Sequence, residues 1–507
     1  MKYPIVSLSS HLAHPSLIQI ETQSFMQIPG FSIVGLPNTE VDESKERVRS
    51  ALIQSEFEFP KRKILVNLSP AHLPKAGTGL DLPIALSVLF AHAKPALEIS
   101  GLILAHGELS LSGELRGEPM GARMLYAASR YPIQKMIFPK TDSKSLQKLL
   151  NLFHRSGYFK DQLPELFPVS TLKEAWDALI APKSSASPNI SRLMSEKKQI
   201  ENSPLLPLSP ALSRILSLSA AGHHHLILLG EKGVGKSYST EWMKYLLPES
   251  DFSTQIESLL LRELVAGSQS IQNPRVGSDC RPATLLGSIQ RGRLRPGLYS
   301  LAHGQILIAD ELLEWHRDTR ESLREPLERH QITLSRAEFH AEVPSQFLLV
   351  ATGNLCPCGG RKNLETTEGC RCFGTPREQY IRKLSGPVLD RIDLMTVVLR
   401  RENKPTETKT LPAQKLKQNV IAAREFSQKT WGKPAGLLSP AEIEDILSQF
   451  KKTPEHLSTK NLRSRHKTAR IALTIAAFEE LKEPLEHHWL EAFHYRPERF
   501  EEARSGN

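Results

Sequence analysis

At 507 residues the chain is long enough for about three domains, each with its own core, which excludes a single small module. The formal charge of +10 and pI near 9.2 favour an anionic partner such as nucleic acid, although dispersed lysines reach the same total. No apolar stretch approaches the ~18–20 residues needed to span a bilayer and no signal-peptide pattern opens the chain, so a cytoplasmic protein without membrane contact is expected. Four of the five cysteines share one short segment, a metal-binding pattern rather than a disulfide framework.

From Ile18 to Ala93 strand-like and helical runs alternate, with Ile64-Leu65-Val66-Asn67-Leu68 a strand and Asp42 to Gln54 a mixed-charge helix. An α+β or α/β unit is expected. Distinctive stretches follow one another: Phe31-Ser32-Ile33-Val34-Gly35-Leu36-Pro37, Glu43-Ser44-Lys45-Glu46-Arg47-Val48-Arg49-Ser50-Ala51-Leu52, Asp81-Leu82-Pro83-Ile84-Ala85-Leu86, and Gly107-Glu108-Leu109-Ser110-Leu111-Ser112-Gly113-Glu114-Leu115-Arg116. Together they resemble the N-terminal domain of the ComM/YifB family, the Mg-chelatase-like AAA+ proteins of bacteria. The resemblance implies a Lon-protease-like (ribosomal S5 domain 2-like) α+β domain over residues 1–180. Lon uses a serine and a lysine as its dyad, and the matching positions here are Ile84 and Ala122, neither a nucleophile nor a base. A scaffold without a catalytic dyad is expected. Residues 181–208, rich in Ser, Pro, Asn and charge, read as a linker.

Residues 209–400 are expected to form a P-loop AAA+ α/β core of the Mg-chelatase type. The adjacent triple His223-His224-His225 alternates faces if extended, so it cannot meet one ion and reads as structural. Leu226-Ile227-Leu228-Leu229 is an apolar strand, Gly230 to Ser237 fits G-x-x-x-x-G-K-[ST], and a helical run follows to Leu246. In such a loop, opened by Gly230, Gly233 and Gly235 let backbone N–H groups turn toward phosphates, Lys236 reaches the β- and γ-phosphates, and Ser237 offers a hydroxyl to Mg²⁺. The buried run Ile306-Leu307-Ile308-Ala309 ends in Asp310-Glu311, one carboxylate for Mg²⁺ and one to activate water. ATP and Mg²⁺ are the implied cofactors.

Arg275 to His303 falls where the family carries an insertion that projects toward the ring channel, with Gly277-Ser278-Asp279-Cys280-Arg281 replacing its Pro-His-His run. Arg291, Arg293 and Arg295 alternate, so an extended segment puts them on one face, suited to a phosphate backbone or to a solvated edge. Leu323 to Glu328 reads as a helix bent or ended at Pro326. Ile332 to Arg336 and Ala341 to Pro344 bracket a hairpin whose tip carries Phe339, an aromatic able to stack on a base or to pack on its own subunit. The next buried strand ends at Asn354, matching sensor 1, which senses the γ-phosphate. The C-x-C pairs Cys356/Cys358 and Cys370/Cys372 can close a tetrahedral Zn²⁺ site; C-x₂-C is the commoner spacing, but the family carries C-x-C pairs here, which favours zinc over free or redox-active thiols.

Tyr380 to Leu394 is the closest match to the family signature. The resemblance implies an arginine that reaches the γ-phosphate of the neighbouring subunit, Arg391 before Arg382, with an internal ion pair to Asp390 or Asp393 as the alternative. Residues 401–507 pattern as a C-terminal helical lid of about four helices, where Arg463, or else Arg465, aligns with the sensor 2 arginine. The resemblance as a whole implies a homo-oligomer, a hexameric ring, that couples ATP hydrolysis to DNA translocation and branch migration in natural transformation and recombination. A chelatase-like ATPase motor that remodels a protein partner without DNA is the alternative.

Overall fold

A computed structural model of the chain describes residues 3–496 apart from 10–12, 72–74, 76, 94–96, 98, 100, 118–120, 141–142, 160–162, 182–207, 266–271, 291–292, 337–338, 361–369, 371, 373–378, 381–382, 385, 399–410, 451–453 and 455–461. Most of the expected linker, the 400/401 boundary, Arg291 and Arg382 therefore lie outside the described residues.

The N-terminal sheet has seven strands in the order Gly30–Val34, Lys63–Ser69, Leu17–Phe25, Ile5–Leu8, Leu102–Ala105, Ile133–Pro139 and Glu165–Val169. Its central strand Ile5–Leu8 is buried throughout, because successive side chains enter opposite cores. Ile5 joins the core under Thr39–Gln54, Asp81–His92 and Leu172–Ile180, while Val6 and Leu8 join the one under Gly121–Arg130 and Ser143–Arg155. Ile84 and Ala122, the positions expected to match the Lon dyad, are fully buried in these cores.

The second of these cores is completed from outside the N-terminal unit by Ile256 and Leu260 of helix Phe252–Arg262. At this seam buried Arg123 donates to the carbonyls of Ser9, Ala13 and Leu260, and Glu263 accepts the amides of Ala122 (2.8 Å) and Arg123 (3.0 Å). Burial lifts the Glu263 carboxyl from 4.5 to about 7, against the amides and the Arg123 charge that favour its ionised form. The folded state therefore holds this proton more tightly than the unfolded one. The contribution is fully present below about pH 4.5 and is lost as the pH rises through about 7, a change on the order of 3 kcal/mol. The melting midpoint of Glu263→Gln is expected to fall less than the parent's between about pH 5 and about pH 8; equal falls would show that Glu263 does not titrate there.

The second sheet has five parallel strands in the order Arg275–Val276, Ile306–Ala309, Leu348–Gly353, Leu226–Gly230 and Leu394–Val398. Its runs are apolar without alternation because both faces are covered. From the same strand, Leu226 and Leu228 face the core shared with the C-terminal helices, and Ile227 and Leu229 face a second core with Leu312, Trp315 and Leu389. Helices Ala413–Trp431, Pro440–Ser448, Leu462–Ala477 and Glu486–His494 pack with Pro210–Gly222 on the first face. His223, His224 and His225 are buried, and His224 links core to lid through Asp393 (3.3 Å) and Thr474 (2.7 Å), a structural use that needs no ion.

Two expectations are corrected. Arg275–Val276 is the edge strand of the main sheet, so the inserted hairpin is only Gly287–Gln290 with Arg293–Pro296. Pro326 neither bends nor ends its helix: in Arg324–Arg329 it falls in the first turn, where a missing N–H costs no helical bond.

Candidate active site

Strand Leu226–Gly230 delivers the chain into the glycine loop, and helix Lys236–Leu246 leaves it. Gly233 and Gly235 hold φ of +83° and +94°, values that a side chain resists, and nothing crowds either one. Gly230 serves otherwise: a Cβ there would lie 2.6 Å from the carbonyl of Val398 on the neighbouring strand. The Lys236 ammonium donates to the carbonyls of Gly230 and Glu231 (both 2.9 Å) and to Asn354 Oδ1 (3.0 Å), which places it and the end of strand Leu348–Gly353 at one point. Burial lowers its pKa, partly offset by the charges of Glu311 and Glu231. Ser237 is exposed on the first turn of the helix.

Asp310 and Glu311 follow strand Ile306–Ala309, next to the strand that ends at Asn354. Thr352 bridges them, donating to Asp310 Oδ1 (3.3 Å) and accepting the amide of Glu311 (3.1 Å). The Asp310 carbonyl accepts from Trp315 Nε1 at 2.9 Å. Arg275 Nε lies 3.1 Å from Asp310 Oδ2, and its Nη2 donates to Thr240 at 2.9 Å. Glu311 itself is exposed at φ +49°, a left-handed conformation that a non-glycine residue adopts at a cost of about 1 kcal/mol or more and that often marks functional sites. Open glycine amides, an ammonium at the loop and one anchored and one free carboxylate suit a polyphosphate with a hard divalent cation. Sequence reasoning missed Arg275 and Thr352. A threonine inside the otherwise apolar strand Leu348–Gly353 was the available signal; Arg275 had none.

The remaining arginines gather elsewhere. Arg391 donates to the carbonyl of Pro387 and pairs with Glu328, a partner the sequence did not suggest in place of Asp390 or Asp393. Arg463 approaches the other oxygen of the same carboxylate at 3.7 Å and Asp390 at 3.4 Å. Arg391, Arg463, Glu328 and Asp390 line one cavity of about 290 Å³ between core and lid, whose walls include no residue of the glycine loop. Arg465 turns away to Glu444 at 2.9 Å.

On the inserted hairpin Arg295 is exposed, whereas Arg293 pairs with Glu40 of the N-terminal unit; buried Leu294 alternates between them. Phe339 opens strand Phe339–Pro344 of the second hairpin, and the turn residues 337–338 lie outside the described ones.

The cysteines follow Asn354 directly. The Sγ atoms of Cys356, Cys358, Cys370 and Cys372 all lie within 4.8 Å of one another, with Cys356 to Cys370 at 3.2 Å, Cys356 to Cys358 at 3.5 Å and Cys358 to Cys370 at 3.6 Å. Thiolates bound to zinc at about 2.3 Å stand about 3.8 Å apart in a tetrahedron, so the donor set and its spacing fit that ion. Burial pushes the Cys356 thiol up when no cation is beside it. Cys280 is not in this group.

Known proteins match along almost the whole chain. Residues 209–406 match the family described as "Magnesium chelatase, subunit ChlI", and residues 20–142 match "Subunit ChlI of Mg-chelatase". The chain is 32% identical to "Uncharacterized protein YifB" of Escherichia coli over 94% of both chains. It is 29% identical to "Competence protein ComM" of Haemophilus influenzae over 97% of both. With a parallel five-stranded core, a glycine loop and an acidic pair in the places described, the chain belongs to the ComM/YifB family of Mg-chelatase-like ATPases of the AAA+ type.

Proposed function

We propose that this chain is the subunit of a ring motor that hydrolyses ATP to move DNA strands, migrating branched junctions during natural transformation and recombination. The observation that carries the reading is the division of the nucleotide chemistry. Lys236, Asn354, Asp310 and Glu311 gather around the glycine loop, while Arg391 and Arg463 share Glu328 on another surface. Arginines whose partners lie in a cavity without loop residues are available to the loop of the next subunit, and head-to-tail contacts of that kind can close into a ring, in our reading a hexamer. In that ring Ser237 and Asp310 hold Mg²⁺, Gly230, Gly233, Gly235 and Lys236 hold the phosphates, and Glu311 takes the proton of the attacking water. Asn354 reports the γ-phosphate, and Arg391 and Arg463 stabilise the charge that builds on it as it leaves. Zinc, held by the four cysteines, is structural.

DNA is supported by the net charge of +10 and by exposed Arg295 on the inserted hairpin, and the role in transformation by the name of the Haemophilus relative, a competence protein. Arg291 and Phe339 are proposed to join Arg295 at the strand, and Arg293 to do so only after leaving Glu40. The domains are taken as 1–180, 181–208, 209–400 and 401–507, the first as a scaffold.

The test is ATP-dependent resolution of a labelled three- or four-way DNA junction, with Lys236→Ala as control. Migration lost in the control supports the reading. Brisk ATP hydrolysis that DNA neither engages nor stimulates would move the weight to a motor that remodels a protein partner. Arg295→Glu is expected to weaken DNA binding about tenfold at low salt and to flatten its salt dependence, with ATP binding unchanged. Filter binding across a salt series reads it.

A further inference from the structure

The cysteine group is built into the wall of the nucleotide loop. The amide of Lys232, within that loop, donates to the carbonyl of Gly359 at 3.1 Å. Gly359 closes a turn on the cysteines, its own amide donating to the carbonyl of Cys356 at 2.9 Å, and it holds φ of +72°, where a side chain is strained. Its α-carbon faces the Lys232 side chain closely enough that a Cβ would touch Lys232 Cβ at 3.5 Å. A second route runs along the backbone: fully buried Cys356 is two residues beyond Asn354, whose side chain receives the Lys236 ammonium at 3.0 Å. Both routes begin at the thiol group and end on the two lysines of the loop.

We propose that the four cysteines, tied by one zinc ion, brace the nucleotide loop, with the Gly359 carbonyl positioning Lys232 and the Cys356 anchor positioning Asn354 against Lys236. This rests on the reading of the group as a zinc site. Thiolate coordination is what gives the brace its stiffness: a cation bound to all four Sγ atoms, which lie within 4.8 Å of one another, ties them at that spacing. Without it the turn at Gly359 loses its footing. The loop then pays an ordering cost each time a nucleotide enters, so binding weakens while the chemistry of the bound complex changes less. These residues act through Lys232 and Asn354 and do not touch substrate.

The test measures zinc per chain, the affinity for a fluorescent ATP analogue in Mg²⁺, and the circular dichroism of the full chain, before and after stripping with a strong chelator that is then removed. Expected are one zinc per chain, a loss of about tenfold in nucleotide affinity on stripping with the secondary structure kept, and recovery on adding zinc. Gly359→Val, which keeps every thiol, is expected to retain its zinc and still bind the analogue about tenfold more weakly, so a stripped chain that unfolds does not end the test. A chain that neither carries nor takes up zinc overturns the zinc reading and the brace with it. One that carries zinc, yet binds the analogue equally when stripped or as Gly359→Val, overturns the brace and leaves the zinc reading standing.

Discussion

Replacing Glu311 by glutamine is expected to cut ATP turnover by about 10²- to 10⁴-fold while leaving ATP binding nearly unchanged. The substitution keeps the size of the side chain, the left-handed backbone at φ +49° and the hydrogen bond from the backbone N–H to Thr352 Oγ1, so little but the proton acceptor is lost. Glu311 is exposed and free to meet water beside the loop, whereas Asp310 is held by Thr352, Arg275 and its own strand. Asp310→Asn should therefore behave differently, weakening Mg²⁺-dependent binding as well as turnover. Equilibrium binding of a labelled nucleotide and a phosphate-release assay separate the two effects. A Glu311→Gln chain that hydrolyses ATP within tenfold of the parent would remove Glu311 from the mechanism.

Mixing two dead variants is expected to restore activity. Lys236→Ala removes the ammonium proposed to hold the phosphates, and Arg391→Ala removes the arginine paired with Glu328; each alone should lose about 10³-fold or more in hydrolysis. In a head-to-tail ring, a site works when its loop comes from an Arg391→Ala chain and its arginine from a Lys236→Ala neighbour. Random equimolar mixing makes roughly a quarter of the sites complete. Hydrolysis should rise to about that fraction of the parent's rate, and fall again on dilution as rings dissociate. If Arg391 served its own loop, no mixture would recover, and the same experiment with Arg463→Ala asks the question of the lid. The shared carboxylate gives a reason to expect one answer for both. Glu328 takes Arg391 on one oxygen and Arg463 on the other, and the arginine beside it holds its own carboxyl below the usual range.

Much of the fold was legible because it is written locally. Leu226 to Leu246 compresses a buried strand, a glycine turn and a helix into one continuous segment, and each part has its own short-range cause: an unbroken apolar run, two positions needing positive φ, a helix start. The same holds for Ile306–Ala309 before Asp310 and for the second hairpin, whereas the histidine triple is not extended throughout, because His223 caps Pro210–Gly222 at φ +60°. Where local reasoning failed, the deciding partner was distant. Pro326 looked like a helix breaker, but the helix starts at Arg324, only two residues before it, and Arg275 looked like part of an insertion until the main sheet took it as an edge strand.

The sequence by itself determined the presence of a phosphate loop, an acidic pair and a four-thiol group, since spacing within one strand, turn or short segment limits what those residues can do. Only the tertiary structure decided which of them meet. The strand order sets Leu226–Gly230 between Leu348–Gly353 and Leu394–Val398, and that arrangement brings Asn354 to Lys236 and Gly359 to Lys232. It leaves Arg391 and Arg463, far apart in the chain, on one carboxylate away from the loop. Such pairings are fixed by how apolar faces stack in two layers over the sheet, a property of the whole chain that no local propensity carries.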